Sequence, residues 1–168
     1  DNGDGGIIVR MDSHPSIRNV TMSFNFGKEG GGLFIEGGCN PIVDSCFIDD
    51  NSAPIGGGVS IKSGSAPWIL NSIIKNNSTT TLGAGFGGGF LIVDANAASV
   101  AITNCLILNN TGGSGGGLYL ENSLATIRQC TIKGNQATSN SGPGGGLNIG
   151  SGSDVVLEDC LIARNSVA

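Results

Sequence analysis

Five cysteines and one histidine are the residues of this 168-residue chain best suited to hold a metal or attack a substrate, and their spacing argues against both roles. Cys46, Cys105, Cys130 and Cys160 recur at matching places, with Val20 and Ser72 in the same slot elsewhere. That is how a small buried hydrophobe behaves when it packs in a column. No Cys-x-x-Cys pair or Cys/His cluster of zinc spacing occurs. If successive turns of the chain stack, Cys105 with Cys130, or Cys130 with Cys160, come within the roughly 4.4 to 6.8 Å between Cα atoms that a disulfide spans. Cys39 falls in a turn, as a candidate free thiol, and His14 lies in the surface turn Ser13-His14-Pro15 with no serine and acid to complete a nucleophilic triad.

Carboxylates are the remaining source of chemistry. Asp44, Asp49 and Asp50, with Lys75 further along, would act as acid and base if two carboxyls lay about 5 to 9.5 Å apart. They do not recur in the repeats described below, and solvated turns account for them. Asp1-Asn2-Gly3-Asp4-Gly5 lacks the distant glutamate of an EF-hand loop. The expectation is therefore no catalytic residue, no metal and no cofactor.

The elements that carry these residues are legible from a repeat. Glycine fills 30 positions without a period of three, 39% of residues are hydrophobic, and only 12% are charged. This is a folded array punctuated by turns rather than collagen or a disordered chain. Gly-Gly-Gly followed by an apolar residue begins at Gly30, Gly56, Gly87, Gly115 and Gly144, with a degenerate copy at Asp4-Gly5-Gly6-Ile7. Apolar residues alternate after each triplet, as in Leu33 and Ile35 or Phe90 and Ile92, which reads as a short strand with one buried face. Two more inward columns follow, Ile17, Val43, Ile69, Ile102, Ile127 and Leu157, then Met22, Ile48, Ile74, Ile107, Ile132 and Ile162. Between them lies the cysteine column. Three residues after the last inward position stands an asparagine every time: Asn25, Asn51, Asn77, Asn110, Asn135 and Asn165. This column is placed to form a side-chain ladder that hydrogen-bonds the turn backbone.

The whole chain, residues 1–168, thus reads as a single all-β domain. It is a right-handed, single-stranded parallel β-helix of about six coils, each of 26–31 residues with three short strands. No cap is legible at either end, so a segment of a longer solenoid, or a subunit stacking end to end, is expected.

Repeats such as Ser65-Ala66-Pro67-Trp68-Ile69-Leu70-Asn71, and Ile48-Asp49-Asp50-Asn51-Ser52-Ala53 followed by Gly56 to Val59, resemble the parallel β-helix repeats of secreted bacterial proteins. They are also similar to those of chlamydial polymorphic outer-membrane proteins. That pattern places an Asn three residues after a Phe or aliphatic residue and then a Gly-Gly-small-aliphatic run; here Gly rather than Ala is the third small residue. The resemblance spans essentially the whole chain. It implies an extracellular or cell-surface setting and an adhesive or scaffold role, with polysaccharide lyases and glycoside hydrolases among enzymes of the same architecture. A carbohydrate-active enzyme is the alternative reading.

A net charge of −5 with eight scattered Lys and Arg argues against a nucleic-acid partner, and no apolar run is long enough to span a membrane. Thr79 to Thr81 are too confined to make an ice-binding ladder. One outward column departs from the polar face expected of a solvated sheet: Thr21, Phe47, Ile73, Leu106, Thr131 and Leu161. Contiguous apolar surface marks an interface, so Phe47, Ile73, Leu106 and Leu161 are the candidate stripe for another protein chain or a second copy, with surface glycans as further partners. The longer loops Ser78 to Phe86 and Gln136 to Pro143 map to one corner, a candidate for recognition. Asn19, Asn76 and Asn109, with Asn77, head glycosylation sequons, and Asn77, as a ladder residue, is the least available.

Overall fold

The computed structural model describes residues 5–81, 85–139 and 144–168. Every strand described pairs in parallel with its equivalent one coil away, giving a β-solenoid of six stacked coils. Sheet 1 collects the strands after the glycine triplets: Ile7–Val9, Leu33–Ile35, Val59–Lys62, Phe90–Val93, Leu118–Glu121 and Leu147–Ile149. Sheet 2 is formed by Ser16–Arg18, Ile42–Asp44, Trp68–Leu70, Val100–Thr103, Leu124–Arg128 and Asp154–Glu158. Sheet 3 contains Thr21–Ser23, Phe47–Asp49, Ile73–Lys75, Leu106–Leu108, Thr131–Lys133 and Leu161–Ala163. The three strands expected per coil are all present. A fourth, of two residues, adds a sheet the sequence did not reveal: Ser52–Ala53, Ser78–Thr79, Thr111–Gly112, Gln136–Ala137 and Ser166–Val167.

The inward columns meet in one apolar core, where Leu33, Ile48, Ile69, Phe90, Ile107 and Leu120 are fully buried. In coil 6, the last described, the equivalents Ile149, Leu157 and Ile162 are 40–47% exposed.

Corners are built by one local rule. At three of the four, a residue with positive φ precedes a side chain that turns inward, most often a small polar one or a thiol. Asn19, Ser45, Asn71, Asn104, Gln129 and Asp159 precede the cysteine column, and Phe24, Asp50, Asn76, Asn109, Gly134 and Arg164 precede the asparagine column. Asn and Asp tolerate this left-handed conformation best after Gly, which explains their frequency there.

The asparagine ladder is complete. Asn77 donates from its backbone N and from Nδ2 to Asn110 Oδ1, at 2.9 and 3.0 Å, and again from Nδ2 to Ile48 O at 3.0 Å. Asn110 repeats this toward Asn135 Oδ1 and Ile74 O. Asn51 and Asn135 do the same with Asn77 and Asn165 as acceptors. Each internal carboxamide therefore uses two acceptor and two donor positions, all it has.

The glycine triplet lies beside this ladder. A Cβ on Gly58 would stand 2.7 Å from Gly89 O and 3.0 Å from Asn77 Nδ2, and one on Gly89 2.6 Å from Gly117 O. Backbones that close leave no room for alanine, which is why the third small residue is glycine here.

Replacing Asn110 by Ala orphans buried groups on the coils to either side, at about 1–3 kcal/mol each, so a loss of about 3 kcal/mol is expected in denaturant unfolding. Asn165→Ala, in the half-buried final coil, should cost about 1 kcal/mol because water replaces the lost partners. Equal effects would contradict this account of the ladder.

Candidate functional site

The chemistry-bearing residues fall into structural roles. Cys46, Cys105 and Cys130 are buried, Cys160 is partly exposed in the final coil, and all five thiols are free. The column does more than pack. Cys105 Sγ contacts Ile69 O at 3.5 Å, Cys130 Sγ contacts Ile102 O at 3.5 Å, and Ser72 Oγ accepts from Cys46 N at 3.0 Å. The hydrogen bond shared with Cys130, and then burial, push the Cys105 thiol up, so it stays protonated.

Cys39, expected in a turn, is fully buried in a further corner column that sequence reasoning missed. It accepts from Ser13 N at 3.1 Å and its own N donates to Ser65 Oγ at 3.1 Å, while Ser123 Oγ takes the same place beside Ala95 N. The signal was the preceding positive-φ position, occupied by Asp12, Gly38, Gly64, Asp94, Asn122 and Gly152. His14 is the exposed turn residue expected; its Nδ1 accepts from Asn40 N at 3.0 Å.

The carboxylates considered for acid–base work are tied into the lattice between coils. Asp44 accepts from Asn71 Nδ2 at 2.8 Å and lies 3.7 Å from Arg18 Nη1. The Asn71 hydrogen bond is the main reason its carboxyl sits below the usual range, which makes it an ionised acceptor rather than a proton donor. Asp49 pairs with Lys75 at 3.7 Å and accepts from Asn76 Nδ2 at 3.1 Å, and Asp50 occupies an exposed left-handed corner. Asn19, Asn76 and Asn109 are exposed at left-handed corners, whereas Asn77 is buried in the ladder, as expected.

Three outer faces offer surface for recognition. On sheet 1 the loops fold back over the strands: Glu29 accepts from Ser60 Oγ at 2.8 Å and meets Lys62 at 3.2 Å, leaving Ser60 fully buried. Phe86, at the end of one long loop, packs its ring 4.6 Å from Tyr119, whose hydroxyl donates to Glu121 at 3.0 Å. Burial and that carboxylate raise the Tyr119 pKa. Residues 82–84 and 140–143 of the two candidate recognition loops, and Asp1 to Asp4, lie outside the described residues. On sheet 2, Trp68 is 56% exposed beside a cleft of about 360 Å³ that Asn40, Ile42 and Ser99 also line.

Sheet 3 carries the apolar column. Register places Thr21, Phe47, Ile73, Leu106, Thr131 and Leu161 directly above one another. Its two halves differ. In coils 2 and 3, Lys75 Nζ sits 5.0 Å above the Phe47 ring and is neutralised by Asp49, so Phe47 and Ile73 are half-covered. In coils 4 to 6, Leu106 is 39% and Leu161 55% exposed, and the next outward positions are Leu108, Lys133 and Ala163 with no carboxylate among them. A cleft of about 500 Å³ opens there, floored by Leu106, Leu108 and Thr131 and rimmed by Asn109, Lys133 and Arg164.

The chain matches the family model described as right handed beta helix region over residues 5–168. No curated protein and no solved structure matches it.

Thiol accessibility checks the column directly. The native protein should react with an aromatic disulfide reagent at Cys160 first, the remaining four thiols reacting only on unfolding. Rapid labelling of Cys105 or Cys130 in the folded state would contradict the burial described.

Proposed function

The chain belongs to the right-handed β-helix family, and on that premise we propose that it is a non-catalytic, extracellular structural or adhesive module that docks another protein chain on the outer face of sheet 3. One observation carries the reading: the in-register stripe of Phe47, Ile73, Leu106 and Leu161, apolar where a solvated face would be polar. A rigid parallel stack holds such a stripe straight over several coils, giving a long, shallow contact surface. The carboxylates nearby form inter-coil ion pairs and accept hydrogen bonds from asparagine carboxamides, which supports a scaffold over an acid–base role. The kind of repeats the sequence resembles supports an extracellular or cell-surface setting.

A glycan contact is the second reading, favoured by the exposed Trp68 indole beside its cleft, since a flat aromatic face stacks on the apolar side of a sugar ring.

Electron microscopy of the purified native protein should show ordered filaments or lateral arrays. Ile73→Lys combined with Leu106→Glu should disperse them while circular dichroism stays unchanged. Assembly that survives both charges, or a native protein that never assembles or docks, would sink the proposal.

A further inference from the structure

Within the sheet 3 face, the cleft of coils 4 to 6 has features the apolar stripe does not explain. Gly134 occupies the corner column that Asn76 and Asn109 fill in earlier coils and Arg164 fills in the next. It has no side chain, and the Asn109 carboxamide takes the space that a Cβ there would need, so that Asn109 and Gly134 together wall one side of the cleft. Lys133 and Arg164 flank the gap, both exposed and neither in an ion pair with a described acidic side chain. In the same described chain Arg18, Lys62, Lys75 and Arg128 each have a carboxylate partner. Among the described residues the cleft thus has two cations without an ion pair on its rim, in a protein of net charge −5.

We infer that the notch between Asn109, Gly134 and Arg164 is an anion-binding subsite for an acidic peptide segment of the partner chain, with Lys133 and Arg164 taking its carboxylate and Leu106 and Leu108 its aliphatic neighbours. This rests on the docking role proposed for sheet 3 and names the chemistry of what docks. The leucine floor decides between ligand classes. A carboxylate flanked by aliphatic side chains covers it, whereas the hydroxyls of an acidic sugar would be desolvated against it. Guanidinium and ammonium groups on a desolvated rim give such a contact specificity and a salt-dependent association rate.

The test uses the whole chain and a fluorescein-labelled peptide, Leu-Asp-Leu-Asp-Leu, beside its neutral analogue Leu-Asn-Leu-Asn-Leu, read by anisotropy. The acidic peptide should bind at least about tenfold more tightly than the neutral one and weaken with salt. Lys133→Glu with Arg164→Glu should abolish that preference. Gly134→Asn, a residue suited to positive φ whose Cβ would displace the Asn109 carboxamide from the cleft wall, should do so while leaving both charges in place. Equal binding of the two peptides, or no effect of either variant, overturns the proposal. If the charge reversal is silent but Leu106→Glu stops docking, the subsite is wrong and the docking face stands. Oligogalacturonate binding through Lys133 and Arg164 without peptide binding would likewise overturn the assignment to a protein partner.

Discussion

A buried carboxamide has two donors and two acceptor sites to satisfy, and this solenoid meets that demand only when its coils are in register. Asn51, Asn77, Asn110 and Asn135 each accept from the asparagine on one side and donate to the asparagine and to a core carbonyl on the two sides. A slip of one residue would leave several such groups unpaired in the core, at about 1–3 kcal/mol each, so the ladder specifies alignment as much as it adds stability. Successive ladder asparagines are 25 to 33 residues apart, so coil length varies while the column stays in register.

The left-handed corners follow from the same demand. Turning the chain sharply while aiming the next side chain inward needs a positive φ immediately before it, and Asn, Asp and Gly supply most of these positions. The glycine triplets then let one coil approach the ladder of the next closely enough for backbone to face backbone. The high glycine content and the many asparagines are thus two sides of one geometric requirement. The sequons at Asn19, Asn76 and Asn109 coincide with corners that would favour asparagine without any modification.

Much of this was legible in the sequence because repetition makes a column visible when residue type is preserved. Asn25 to Asn165 and the inward isoleucines stand out for that reason. The column of Cys39, Ser65, Ala95 and Ser123 was missed because its residue type changes from coil to coil, although the backbone conformation before it does not. The fourth strand was missed because Ser52–Ala53 or Gln136–Ala137 is too short to show alternation. The stripe of sheet 3 was readable as a set of apolar letters, but its division into a half covered by Lys75 and a half left open was not, since that depends on contacts between coils. The notch at Gly134 was hidden for the opposite reason: its signal is a side chain that is absent from a column.

The surface chemistry is thereby subordinate to the stacking that displays it: outward side chains are repeated at strand spacing, roughly 4.8 Å, only while the inner ladder holds. The most direct test of that claim is native-state hydrogen exchange resolved by residue. The backbone amides of Asn51, Asn77 and Asn110 lie in corners, yet each donates to a buried carboxamide. They should exchange as slowly as the core strand amides of Ile74 and Ile107, through global opening alone. Corner amides that exchange freely while those strands stay protected would contradict the account, because the coils would then be holding register without the ladder.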